Sequence, residues 1–344
     1  MRAKRAVDGP SGPLKPQGDR PGSVKSDVHV RRTCALIIGA GQIGTFAAGA
    51  LHESGVDVVG ADAEPAPGHY ARFGPREGPP VQQVDIRESA QISELVTRWQ
   101  PDVIVLSAGL PAQQTQLEPD RARATLLGGV QNVLAAAARC ALRRLVFVSS
   151  FAVYGPNGGA PIKESDPRAP TSIYGRLFAE AEDILLANSL PSVILRPAGV
   201  YGPIQFGRGS HSARLFEQLL LRAARGLETS LESATDDSDE YIYVKDVAVA
   251  VARAVQAPPA SSAEIFNVGT GQLSRMQDVI AAVTGVFPNA QIGVNELADH
   301  LNSQAGPLDV QRAAGILGFR ARYDLVHGLA DYARELGAIE PPTV

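Results

Sequence analysis

From Cys34 onward, short runs of β-branched and apolar residues alternate with helix-length segments, and this alternation constrains the fold more than any other feature of the chain. The runs cover 34–38, 56–60, 81–84, 103–107, 145–149 and 192–196, and helices are expected over 41–54, 89–100, 120–141 and 173–189. Strands joined by crossovers of that length pair in parallel with helices on both faces. The expected fold class is therefore α/β, a Rossmann-type doubly wound parallel sheet, in which ligands collect at the carboxyl ends of the strands. After Pro197 the alternation weakens into Gly-rich loops, a helix over 213–225, an acidic stretch around 236–240, a strand over 265–268 and a last helix over 325–336. This part reads as a smaller C-terminal lobe, partly interleaved with the sheet.

The first run leads into Gly39-Ala40-Gly41-Gln42-Ile43-Gly44, which opens a helix. Glycines at this spacing permit a tight turn and let backbone N–H groups approach a pyrophosphate at the positive end of the helix. The second run ends at Asp62, eighteen residues after Gly44, close to the offset of a carboxylate that holds the adenine ribose hydroxyls. A carboxylate there repels a 2′-phosphate, so the expected cofactor is NAD rather than NADP. Gly39, Gly41, Gln42, Ile43, Gly44 and Asp62 are its candidate ligands. The expected division is 33–196 as an NAD-binding domain and 197–344 as a substrate-binding lobe.

Further motifs follow at family-like spacing. Val84-Asp85-Ile86, Leu106-Ser107-Ala108-Gly109 and Gly128-Gly129-Val130-Gln131-Asn132-Val133-Leu134 are three of them. Phe147-Val148-Ser149-Ser150-Phe151-Ala152-Val153-Tyr154-Gly155 and Pro170-Thr171-Ser172-Ile173-Tyr174-Gly175 come next. Arg196-Pro197-Ala198-Gly199-Val200-Tyr201-Gly202-Pro203, Tyr241-Ile242-Tyr243-Val244-Lys245-Asp246-Val247 and Asn267-Val268-Gly269-Thr270-Gly271 complete the series. From about residue 36 to 336 the chain resembles the extended short-chain dehydrogenase/reductase family, in its NAD-dependent epimerase/dehydratase branch. The resemblance implies that Ser150 and Tyr174 are catalytic, that Asp85 and Ile86 lie beside the adenine, and that Ala108 runs under the cofactor. It also implies oxidoreductase chemistry on a hydroxyl or carbonyl of a sugar-like small molecule, and a homodimer built on the helices over 120–141 and 173–189.

Four positions depart from the family pattern. Ile38 stands where the family's glycine turn has its first glycine, and Leu126, beside Thr125, stands for an asparagine. Asp239 replaces an arginine that holds the diphosphate in many nucleotide-sugar enzymes, and Phe178 replaces the lysine four residues after Tyr174. That lysine lowers the tyrosine pKa in the family mechanism. Without it, forming tyrosinate from a phenol of pKa ~10 at neutral pH costs roughly 4 kcal/mol, about a thousandfold in rate. Arg176, two positions after Tyr174, points away on a helix. Lys163 and Lys245 are expected in loops and read as solvated, as does His211 in its glycine-rich loop. Two other readings stay open beside the oxidoreductase: a catalytically degenerate NAD-binding sensor or partner subunit, and a repurposed lyase or cyclase.

Composition narrows the classes. Residues 1–32 carry eight Lys/Arg against three Asp/Glu and the remainder is acidic, a split of +5 and −9. The Pro- and Gly-rich tail has no apolar face and is expected to be disordered. Its cations are scattered, so no nucleic-acid partner is expected. No run reaches the ~20 apolar residues of a membrane span. Cys34 and Cys140 fall in expected core segments, belong to no CxxC or Cys/His cluster, and suggest neither a disulfide nor a metal site. A cytoplasmic setting is the expectation.

Overall fold

The computed structural model describes residues 32–204, 209–232, 237–258, 262–295 and 306–337; of the expected tail over 1–32, residues 1–31 lie outside them. The first half runs β1 (Cys34–Ile38), α1 (Gln42–Glu53), β2 (Asp57–Asp62), α2 (Pro67–Phe73), β3 (Gln82–Gln83), α3 (Ser89–Trp99), β4 (Val103–Leu106), α4 (Ala112–Leu117), α5 (Pro119–Arg123), α6 (Gly129–Ala137), β5 (Arg144–Val148), α7 (Ile173–Leu186) and β6 (Ser192–Pro197). There follow β7 (Gly199–Tyr201), α8 (His211–Ala224), β8 (Thr229–Glu232), β9 (Ser238–Asp239), β10 (Tyr241–Tyr243), α9 (Val244–Gln256), β11 (Glu264–Val268), β12 (Ser274–Arg275), α10 (Met276–Val286), β13 (Ile292–Asn295) and α11 (Leu325–Glu335).

Seven parallel strands form the central sheet in the order β11-β6-β5-β4-β1-β2-β3. The sheet is doubly wound: chain order reverses between β1 and β4, which opens a crevice at the carboxyl ends of these two strands. β4 and β5 are buried along their whole length, and β1 along all but Cys34, as continuous apolar runs sandwiched between helices must be. β11 pairs with β6 in register Glu264↔Val193 to Val268↔Pro197. Thus the chain beyond Pro197 contributes a strand to the main sheet.

Several elements differ from expectation. The helix over 120–141 is interrupted by a π-helical turn, Ala124–Gly128, and α6 ends at Ala137. Gly128 and Gly129 weaken the α-helix at this point, and π-turns of this kind gather at functional sites. β3 shrinks to two residues because Pro79 and Pro80 precede it and remove ladder donors. Lys245 is not in a loop: α9 begins at Val244 and buries an Ala/Val face against α1. His211 likewise opens α8 rather than lying in a loop, with Ser210 as its cap accepting from Ala213 N at 3.1 Å. Neither Cys34 nor Cys140 is in a disulfide, and both are only partly buried. No helix among the described residues is long and apolar enough to cross a membrane.

Candidate active site

A cleft of about 910 Å³ lies along the carboxyl edge of the sheet, over the switch point. Its floor is the turn between β1 and α1. Gly39 has φ +100°, and a Cβ there would stand 2.4 Å from Ala108 N; a Cβ on Gly44 would stand 1.9 Å from Gly39 O. Only glycine fits at either place. Ser107 Oγ donates to Gly39 O at 2.8 Å, tying the strand-end loop before Ala108 to the turn. Around Gly41 nothing lies within 4 Å of the Cβ position, so this side of the turn is open to the cleft. No side chain caps α1, and Gln42, Ile43 and Gly44 in its first turn line the same space. Gln42 spends its side chain elsewhere, with Nε2 donating to Gly202 O at 2.8 Å. Uncapped first-turn N–H groups with open space before them suit an anion.

The β2 and β3 ends shape one extremity of the cleft. Asp62 lines it from the last residue of β2, where its Oδ1 accepts from Glu64 N at 2.9 Å. Asp85 is bound by Arg87, whose guanidinium hydrogen bond holds the carboxyl below its ordinary range. Ile86 is buried and its carbonyl accepts from Asn132 Nδ2 at 2.9 Å, which explains the asparagine on α6. His69 lines this extremity too; its Nε2 is buried without a partner, and burial, followed by Arg72, lowers its pKa. These groups fit a dinucleotide's adenosine half, whose ribose hydroxyls need acceptors and whose base needs an apolar wall.

Over β5 the cleft meets two serines with different tasks. Ser149 Oγ donates to Glu182 Oε1 at 2.6 Å. Glu182 in turn accepts from Arg196 Nε at 2.9 Å and Nη2 at 2.6 Å, and Arg196 Nη1 donates to Tyr154 Oη at 2.6 Å. Glu182 and Arg196 are fully buried, so this pair stays stable only because every charge is matched. Ser150 is left facing the cleft, where its Oγ accepts from Ala152 N at 3.1 Å, and the Tyr174 phenol lines the same space. Tyr174 follows the Ser172 cap at the start of α7, and Gly175 after it lets the helix approach: a Cβ there would meet Ala152 O at 2.1 Å.

Phe178 lies one turn further along α7, 7% exposed, with its ring 4.6 Å from that of Tyr174 and 6.0 Å from that of Phe147. An aromatic wall thus stands beside the phenol. Burial pushes the Tyr174 pKa up, and the Ser150 hydroxyl opposes this only in part. No substitute cation reaches it from the lysines considered in the sequence. Lys245 is paired with Asp331 at 2.6 Å and Glu335 at 2.7 Å, Lys163 is exposed, and Arg176 turns to Thr171 O at 3.1 Å. Leu126 is buried in the π-helical turn, while Thr125 beside it lines the cleft. Asp239 lies outside the cleft, where burial raises its pKa to about 6.

The structure adds cleft residues that local sequence patterns did not mark: Glu64 with Arg121 at 3.5 Å, Gln113 on α4, and Arg214 on α8. They converge only through tertiary packing. Among the described residues no three His, Cys, Asp or Glu side chains gather as metal ligands.

Known proteins share this fold. The chain is 29% identical over 321 residues to a UDP-glucose 4-epimerase of Lacticaseibacillus casei, a match spanning 88% of this chain and 95% of that one. It is 31% identical over 253 residues to a UDP-glucose 4-epimerase of Mycolicibacterium smegmatis, spanning 70% of this chain and 78% of that one. The fold superposes on the UDP-glucose 4-epimerase of Thermus thermophilus, solved in complex with NAD, at a TM-score of 0.77 and 24% identity, covering 89% of this chain and 99% of that one. The sequence pattern of the NAD dependent epimerase/dehydratase family matches residues 35–269, and with its doubly wound sheet and glycine-turn cleft the chain belongs to that family.

Proposed function

We propose that this protein is an NAD-dependent oxidoreductase or epimerase acting on a hydroxyl or carbonyl of a sugar-like substrate, with Tyr174 and Ser150 as its catalytic residues. The observation that carries the reading is the convergence of Ser150 and Tyr174 on the cleft that holds the open glycine turn. Gly39, Gly41, Gln42, Ile43 and Gly44 hold the pyrophosphate, Asp62 the adenine ribose, Asp85 and Ile86 the adenine, and Ala108 the underside of the cofactor. Bound there, NAD would supply a two-electron acceptor and, in its oxidised form, a positive charge. Ser150 Oγ and Tyr174 Oη hold the reacting oxygen between them. In the oxidative direction Tyr174 Oη takes the proton from that oxygen; in the reductive direction it returns one. Because burial raises the Tyr174 pKa, the neutral phenol is the resting form and donates more readily than it accepts.

The test is to assay nucleotide released from the purified protein, then to follow nicotinamide reduction in the near ultraviolet with UDP-glucose, UDP-galactose and a panel of free sugars. Bound NAD that is reduced or cycled by a member of the panel supports the proposal. Absence of NAD, or NAD that no member alters, overturns it. Phe178 is the observation favouring the second of these outcomes, a cofactor-binding sensor or partner subunit. The homodimer implied by the resemblance would use α6 and α7, near which Arg123 Nη1 pairs with Glu180 Oε2 at 2.8 Å.

Asp62 predicts cofactor choice. Calorimetric titration of the apoprotein should show NAD binding more tightly than NADP, and Asp62→Asn should narrow the ratio by roughly tenfold, the effect of ~1.4 kcal/mol of relieved repulsion. An unchanged ratio would show that Asp62 does not face the ribose.

A further inference from the structure

Asn157-Gly158 is the only Asn-Gly pair in the chain, and the fold places it in an exposed turn beyond β5 that does not line the cleft. Gly158 has φ +73° and Gly159 φ +84°, with nothing within 4 Å of either Cβ position, so the turn stands open to solvent. Gly158 N donates to no acceptor among the described residues. With no side chain on its own residue to crowd the approach, this nitrogen can reach the amide carbon of the asparagine before it.

The Asn157 amide is held from both sides. Its Nδ2 donates to Ala160 O at 2.5 Å, and its Oδ1 accepts from Gly159 N at 3.2 Å and from Gly306 N at 2.8 Å. Two backbone N–H groups thus point at the oxygen on which negative charge appears when the amide carbon is attacked, as the donors of an oxyanion hole do. Gly306 lies 149 residues further along the chain, so this donor arrives only with folding. Its approach requires glycine, since a Cβ there would stand 1.8 Å from Ala160 O. The same bond fastens segment 306–309 to the turn, next to Ile162 N donating to Pro307 O at 2.8 Å and Asp309 N to Ile162 O at 2.7 Å.

We infer that Asn157 is a site of self-modification, at which the native fold promotes conversion of the amide to an acid. Gly158 N loses its proton and bonds to Asn157 Cγ; the Cγ–Nδ2 bond breaks, and ammonia leaves with that proton, closing a five-membered imide. Water then opens the imide, at Cγ to give aspartate or at the backbone carbonyl to give isoaspartate, with no change of oxidation state. Either acid loses the bond to Ala160 O, and isoaspartate, whose main chain runs through Cγ, also carries the acceptor away from Gly306 N and unties segment 306–309. Nothing in this inference depends on what the cleft binds.

The test holds the native full chain, and the same chain unfolded in urea, at mildly alkaline pH and follows the tryptic peptide 145–163 by mass spectrometry. Asn157 is the only side-chain amide in that peptide, so a gain of the acid's mass there is unambiguous. The native protein should convert at least as fast as the unfolded chain, while Asn188 and Asn289, followed by Ser189 and Ala290, keep their amides over the same period. Gly158→Ala should slow the native conversion about tenfold, equivalent to ~1.4 kcal/mol of barrier, because a Cβ crowds the attacking nitrogen. In the isoaspartate fraction, separated by chromatography, Gly306 N–H should exchange with deuterated water faster than in the unconverted protein. An Asn157 that keeps its amide in the native protein while the unfolded chain loses it overturns the inference, as does a native rate that Gly158→Ala leaves unchanged. Unaltered exchange at Gly306 in the isoaspartate fraction overturns the untying of segment 306–309.

Discussion

Tyr174→Phe should lower turnover by roughly a hundredfold to ten-thousandfold, the range for losing a positioned proton-transfer group. The substitution removes only the phenolic hydroxyl. The ring's packing against Phe178 at 4.6 Å remains, so the fold, NAD content and melting temperature should stay as they are. Ser150→Ala should cost less, because the phenol still holds the reacting oxygen. The double variant should fall little below Tyr174→Phe, since groups that act as a unit are not additive. Steady-state kinetics together with nucleotide content decide the matter: activity unchanged in Tyr174→Phe would remove this residue from the chemistry.

Glu182→Ala should have the largest effect on stability, about 3–5 kcal/mol, the cost of breaking a buried pair and stranding one charge. Arg196 is 1% exposed and donates two of its hydrogen bonds to Glu182, while Ser149 Oγ and Arg168 Nη1 lose an acceptor at the same time. For a domain of this size the melting temperature should fall on the order of 10 °C. Because Ser149 precedes Ser150 at the end of β5, weaker NAD retention should accompany the fall. Glu182→Gln, which keeps the shape and one acceptor, should lose less. A melting temperature unmoved by Glu182→Ala would mean that the network adds nothing net.

How much of this was legible in the sequence depends on the range of the forces involved. The β1 to α1 turn was legible because Gly39 and Gly44 answer to contacts within a few residues and to one neighbouring loop. β1, β4, β5 and β6 were legible as apolar runs because a sheet covered on both faces leaves no polar side to confuse the period. α9 was not, since its Val-rich stretch 244–255 reads equally as strand, and only packing against α1 decides for helix. The π-helical turn at Ala124–Gly128 was hidden as well: one extra residue per turn leaves no mark on side-chain polarity. Ser150 and Tyr174 could be named from spacing, yet the separate task of Ser149 could not, because Glu182 reaches it from 33 residues away. Arg214 and Gln113 come from segments 101 residues apart and become neighbours only when α4 and α8 pack over the cleft. Phe178 was visible as a departure, and the structure supplies its physical meaning: the place of a cation is taken by a ring that desolvates the phenol.

That meaning leads to the most direct measurement, the pH profile of nicotinamide reduction in the native protein and in Phe178→Lys, with nucleotide content and folding checked in both. Tyrosinate accepts the substrate proton, and burial raises the Tyr174 pKa, so the native rate should climb with pH through the neutral range. An ammonium one turn away stabilises tyrosinate, so Phe178→Lys should raise the neutral rate and move this limb to lower pH. Reduction that falls in Phe178→Lys, or a limb that does not move, with NAD bound and the fold intact, would contradict Tyr174 as the proton-transfer group.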